Sequence, residues 1–164
     1  MIKQLSGIII SAAVLAAAPV QAEDNPMVSV KRLSMETALS IAQGAIQACD
    51  KKGIQIGVAV VDRDGTVQVH LRDTIAAPIT LPISRQKAYT AVNFNAATSA
   101  LGDRADSPIG RIDGLVMSAG GLPIQVGGSL VGGVGVSGAP SGKTDEECAQ
   151  AGIDQVIDDL EMSL

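Results

Sequence analysis

Residues 118–152 read SAGGLPIQVGGSLVGGVGVSGAPSGKTDEECAQAG, ten glycines set among short apolar runs and ending in a helix start. Two near-matches to nucleotide motifs lie inside it. Gly133-Val134-Gly135-Val136-Ser137-Gly138 fits G-x-G-x-x-G, and Gly142-Lys143-Thr144 has the tail of a phosphate-binding loop. A dinucleotide fold places the first motif in a strand-to-helix turn and follows the helix with a parallel strand. Here the motif lies on and just after the last predicted strand, and no strand follows. The second motif needs glycine at position 137, where Ser137 stands. Both readings fail on context, so no nucleotide is expected. Glycines inside a strand weaken it and call for a close approach. A helix, a partner subunit or a flat ligand packed on residues 132–135 would supply one. The loop running from Ser137 and Gly138 to Lys143 then leads into a helix N-terminus, where free N–H groups favour an anion.

The segments on either side give the element order. Ser34 is placed to cap a helix from Met35 to about Lys52, with Met35, Leu39, Ala42, Ile46 and Cys49 on its apolar face. Residues 54–61 and 67–72 form a hairpin around the turn pair Asp64-Gly65. Residues 73–82 hold two prolines and read as a loop. A helix follows from Pro82 to about Asn95. Segments 114–119, 122–126 and 130–137 read as three more strands, with glycine pairs turning between them. A last helix starts at Thr144, where Thr144 and Glu147 form a capping box, and runs to Leu160. Strands joined by turns this short are antiparallel. The expectation is an α+β domain with a five-stranded antiparallel sheet covered by helices.

The amino terminus carries one basic residue, Lys3, then an apolar run over residues 8–18, then Val20-Gln21-Ala22. This is the pattern of a secretory signal peptide over residues 1–22. The apolar run is short against the roughly 20 residues that span a bilayer. A periplasmic or secreted location is therefore expected, with an extension over residues 23–32, one domain over 33–164 and no membrane association after cleavage. The formal net charge is −5. An acidic chain without a basic run argues against nucleic acid as a partner. With Tyr89 and Phe94 the only aromatics, stacking platforms for bases are missing. An oxidising compartment permits a disulfide between Cys49 and Cys148, the only two cysteines. Two buried thiols are the alternative.

Asp62-Arg63-Asp64-Gly65, Arg72-Asp73 and Arg85-Gln86-Lys87-Ala88-Tyr89-Thr90-Ala91 form one set of segments. Gly120-Gly121-Leu122-Pro123-Ile124 and Gly133-Val134-Gly135-Val136-Ser137-Gly138-Ala139 form a second. In this order they resemble the GlcG/HbpS group, also found as the C-terminal domain of some corrinoid adenosyltransferases. The resemblance runs from about Leu33 to Leu160. Residues 145–149 together with Cys49 look like its exported members. It implies a profilin-like three-layer α/β/α fold, homo-oligomers and, for some members, haem binding or haem-linked sensing. One secreted member uses a Glu-x-x-Glu iron motif, which this sequence lacks. The haem-ligating histidine of the adenosyltransferase-type domain matches no residue here.

Site candidates follow from residue chemistry. Lys87, just before the inward Ala88, is either a solvated helix residue or a cation that meets a carboxylate or haem propionate near Ser137. Arg72 and Asp73 end a strand and either pair with each other or line the same pocket. His70 is the only histidine and the best generic metal ligand, although strand parity puts it on the polar face with Gln68 and Arg72. Tyr89, Met35 and Met117 carry atoms that can ligate haem iron. Three classes result: an exported small-ligand or haem-binding protein, an enzyme on a small carboxylate or hydroxy acid, and a structural or regulatory oligomer. No nucleophile–base pair stands out for the second.

Overall fold

The computed structural model describes residues 26–164; the signal peptide expected over residues 1–22 lies outside the described residues. The chain divides into two units, Met1–Val30 and Lys31–Leu164. Of the first, the described residues 26–30 are exposed and form neither helix nor strand. The second holds every element of the described residues: α1 (Met35–Asp50), β1 (Gly57–Asp62), β2 (Val67–Arg72), α2 (Thr80–Phe94), 3-10 segments Thr98–Arg104 and Pro108–Arg111, β3 (Gly121–Val126), β4 (Ser129–Ser137), α3 (Gly142–Asp154) and α4 (Ile157–Met162).

The sheet is antiparallel with order β2-β1-β4-β3. It has four strands, not the five expected. Residues 114–119 are strand-like in composition, but their backbone is committed elsewhere. Val116 N donates to Thr90 Oγ1 of α2 at 2.9 Å. Gly114 (φ +92°) and Gly120 (φ +124°) bend the chain at both ends, which leaves too few extended residues to pair.

Helices cover both faces. On one, Val58, Val60, Val69, Ile124, Val134 and Val136 pack with Ala38, Ile41, Ala42 and Ala45 of α1 and Ala149 and Ile153 of α3. Cys49 and Cys148 are joined there by a disulfide between α1 and α3, both fully buried. On the other face, Ala59 and Val61 meet Ala88 and Val92 of α2. Gly133 and Gly135 lie beside them, opposite Val61 and Ala59 in register. These glycines have the close approach that a strand glycine calls for, and the element packed on them is α2. A Cβ on Gly135 would lie 2.1 Å from Ser84 O and 2.5 Å from Ala88 N, both backbone atoms that cannot swing away. Gly135→Ala is therefore expected to cost at least about 2 kcal/mol through overpacking, read as a lower urea midpoint at unchanged slope.

Local signals account for most element ends. Ser34 caps α1 by accepting from Thr37 N at 3.1 Å. Asp62 Oδ1 accepts from Asp64 N and Thr66 N, closing the hairpin turn with Gly65 at φ +84°. Three details depart from expectation. Met35 is 59% exposed, because the buried stripe of α1 begins one turn later, at Ala38. α3 starts earlier than Thr144: Ser141 caps it, accepting from Thr144 N, while Glu147 pairs with Lys52 at 2.7 Å instead of forming a capping box. The last helix also breaks after Asp154 and resumes as α4.

Candidate functional site

Lys87 sits on the inner side of α2, where the glycines of β4 bring helix and strand together, and is 4% exposed. Its Nζ donates to Val136 O and to Asp145 Oδ2, both at 2.9 Å. Asp145, in the first turn of α3, accepts from Ala139 N at 2.9 Å through its other oxygen. The helix N-terminus also favours its charge. Lys87 thus meets a carboxylate beside the Ser137 loop, and that carboxylate is the chain's own. Gly120 closes the pair from above: a Cβ there would lie 2.6 Å from Lys87 Nζ.

Burial pushes the Asp145 carboxyl above its ordinary value, and the Lys87 ammonium and the Ala139 N–H pull it back in part. A raised folded value means the native state holds this proton more tightly than the unfolded chain does. The contribution of Asp145 to stability is then greatest in acid and is lost as pH rises from the ordinary aspartate range through the raised value. Wild type minus Asp145→Asn, followed by urea midpoint across mildly acidic pH, should fall with rising pH. A difference that rises would mean that the two hydrogen bonds outweigh burial.

The remaining strand-end candidates serve the backbone. Arg72 Nη1 donates to Asp73 O at 3.0 Å and to Thr74 O at 3.2 Å. Asp73 Oδ2 accepts from Ile56 N at 2.8 Å, and Asp73 N donates to Ile56 O. Together they hold the loop after β2 and extend the β1–β2 ladder. Ser137 is buried at the end of β4, and Gly138 (φ +132°) passes close to Gln55 O. Asp145 stands in the first turn of α3, with its carboxylate on Lys87 and on Ala139 N.

His70 is not on an open polar face. α2 covers that side of β2, and the half-buried ring has Nε2 at 3.0 Å from Leu81 O and 3.3 Å from Ser84 Oγ. Burial holds its pKa below the ordinary value; the Leu81 carbonyl opposes this and the Arg85 charge reinforces it. Ser84 is fully buried and bonds Leu81 O, so this serine–histidine contact offers no accessible nucleophile.

Met35 is exposed at the start of α1, and Tyr89 of α2 faces an open cleft. With Arg85, Gln86, Asp113 and Gly114 it lines a cleft of about 440 Å³. Its ring packs over Gly65, where a Cβ would lie 2.6 Å from Cδ2. A second cleft, about 180 Å³, is walled by Leu33, Val126, Val131, Leu160 and Leu164 beside Lys31 and Arg32; Arg32 is held by Asp62 and Asp64. Met117 is buried. Among the described residues no group of three or more His, Cys, Asp or Glu is arranged to hold a metal ion. The haem-compatible donors are therefore single side chains: Tyr89 lines the polar cleft, Met35 is exposed on α1 and Met117 is buried. Arg85 and Asp113 were not singled out by sequence reasoning. Arg85 had a legible signal, since it stands one helical turn before Tyr89; Asp113 comes near only through the fold.

A family model described as "Haem degrading protein HbpS-like" matches residues 33–154. An uncharacterized 15.0 kDa protein of Citrobacter freundii, from the dhaT-dhaS intergenic region, is 34% identical over 112 residues, which is 61% of this chain and 78% of the relative. The structure of a double mutant of Streptomyces reticuli HbpS superposes with a TM-score of 0.77 at 40% identity, covering 86% of this chain and 98% of the other. A PduOC:haem complex superposes with a TM-score of 0.70 at 28% identity, covering 75% and 94%. The chain belongs to the HbpS-like family.

Proposed function

We propose that this chain is an exported protein that binds haem, in a sensing or accessory role. The observation that carries this reading is the likeness to the PduOC:haem complex, at 28% identity over three quarters of the chain, joined to membership of the HbpS-like family. Lys87 is spent on Asp145 and Val136 O, so neither ligand contact nor catalysis is assigned to the lysine. Export is supported by the amino-terminal pattern and by the Cys49–Cys148 bridge, a bond that persists in oxidising compartments. A homo-oligomer is part of the proposal, and light scattering would give a mass that is a multiple of the chain's.

Titration of the purified chain with haemin should produce a saturable shift of the Soret band at micromolar haem, with a fixed number of haems per chain. No shift under these conditions would remove haem. The family description names haem degradation, so bleaching of the bound band with oxygen and an electron donor would separate turnover from holding. Recovered from outside the cytoplasm, the chain should begin at Glu23 and be two hydrogens lighter than its reduced form.

A further inference from the structure

We infer that the cleft between α2 and the Asp113–Gly114 bend binds a small zwitterion of the amino-acid class, its carboxylate on the Arg85 guanidinium and its ammonium on the Asp113 carboxylate. This site is separate from the haem reading and does not rest on it. The first support is the charge pattern. Arg85, Gln86, Tyr89, Asp113 and Gly114 line about 440 Å³, within the size range of small-molecule sites. Arg85 and Asp113 put opposite charges on this one lining, yet no ion pair joins them. Among the described residues, neither of these two side chains, nor the Tyr89 hydroxyl or the Gln86 amide, has a hydrogen-bond partner. A lone carboxylate that reached Arg85 would be repelled by Asp113, and a lone amine on Asp113 would be repelled by Arg85. A molecule carrying both charges satisfies both walls, and the same repulsions select against singly charged competitors. Arg85 offers a planar fork for the carboxylate, and Tyr89 and Gln86 add a hydroxyl and an amide for further polar groups.

The second support is that both walls are fixed before any ligand arrives. Arg85 and Tyr89 are four residues apart on α2, so they share a helix face. The Tyr89 ring is held against Gly65, where a Cβ would lie 2.6 Å from its Cδ2. On the other side, Val116 N donates to the Oγ1 of the fully buried Thr90 at 2.9 Å. That bond ties the segment after Gly114 to α2, so Asp113 and Gly114 stand where the fold puts them. Gly114 turns at φ +92°, and nothing lies within 4 Å of its Cβ position. The cleft therefore stays clear at the bend. Its lining holds no aliphatic residue, which suits a hydrophilic molecule of a few heavy atoms.

Calorimetric titration of the full chain at low salt, with glycine, 4-aminobutanoate, butanoate and butylammonium as probes, tests the pairing. At least one of the two zwitterions should bind saturably, one per chain. It should bind at least about tenfold more tightly than butanoate or butylammonium, the scale of one charge-assisted contact. Backbone amide shifts on binding should centre on residues 85–89 and 113–114. Arg85 and Asp113 are exposed, so Arg85→Gln and Asp113→Asn should leave the urea midpoint in place while each weakens the zwitterion about tenfold. Asp113→Asn should at the same time strengthen butanoate, because the repulsion is gone. No saturable binding of either zwitterion would overturn the site. Butanoate binding as tightly as 4-aminobutanoate, or amide shifts centred elsewhere, would overturn it equally. A failed haemin titration would remove the haem reading and leave this result standing.

Discussion

Lys87→Met is expected to lower folding stability by about 3–5 kcal/mol, the scale seen when one partner of a buried ion pair is removed. Lys87 and Asp145 have side chains only 5% exposed and stand 2.9 Å apart. They join α2 to α3, while the second lysine bond holds the carbonyl of Val136 in β4. Without the ammonium, Asp145 keeps the Ala139 N–H as its one partner and either stays charged in the core or takes up a proton. The double substitution Lys87→Met with Asp145→Leu should recover most of the loss, since matched apolar replacement of a buried pair is often neutral. Urea denaturation of the four-member cycle gives the coupling directly. A single-variant loss below about 1 kcal/mol, the range of exposed pairs, would mean that water reaches the pair.

Opening the Cys49–Cys148 bridge should cost a similar amount, about 4–5 kcal/mol in the chain-entropy account of a loop of this size. The sequence separation is 99 residues. The bond therefore restrains most of the unfolded chain. Both sulfurs are fully buried between α1 and α3, so reduction of the native state requires those helices to part. The check is the urea midpoint of the oxidised chain against a Cys49→Ala, Cys148→Ala double variant. Equal midpoints would show that the unfolded ensemble is already compact without the bridge.

These two bonds also mark what the sequence reveals and what it hides. Ser34, the Asp64-Gly65 turn and the alternation of Val67, Val69 and Leu71 act within a few residues, so the helix start, the hairpin and the apolar strand face were legible. The family segments carried the three-layer arrangement, and the strand glycines announced a close approach without naming α2. Lys87 was singled out, but its partner is 58 residues away, and an aspartate in a first helical turn reads as a solvated capping charge. His70 was misplaced for a related reason. Alternation identifies one apolar face and treats the other as wet, and here α2 covers both Ala59 and the His70 side. Residues 114–119 failed as a strand because Thr90 takes a backbone group that a sheet partner would have needed. Tyr89 was legible by type alone; the cleft around it depends on Asp113 and Gly114, which only the tertiary fold brings to α2.

An iron-edge anomalous difference map from crystals of the chain saturated with haemin tests the central claim most directly. The account predicts a strong iron peak at one position on the chain, with density for the porphyrin around it. Crystals grown at saturating haemin that show no iron peak on the chain would contradict it.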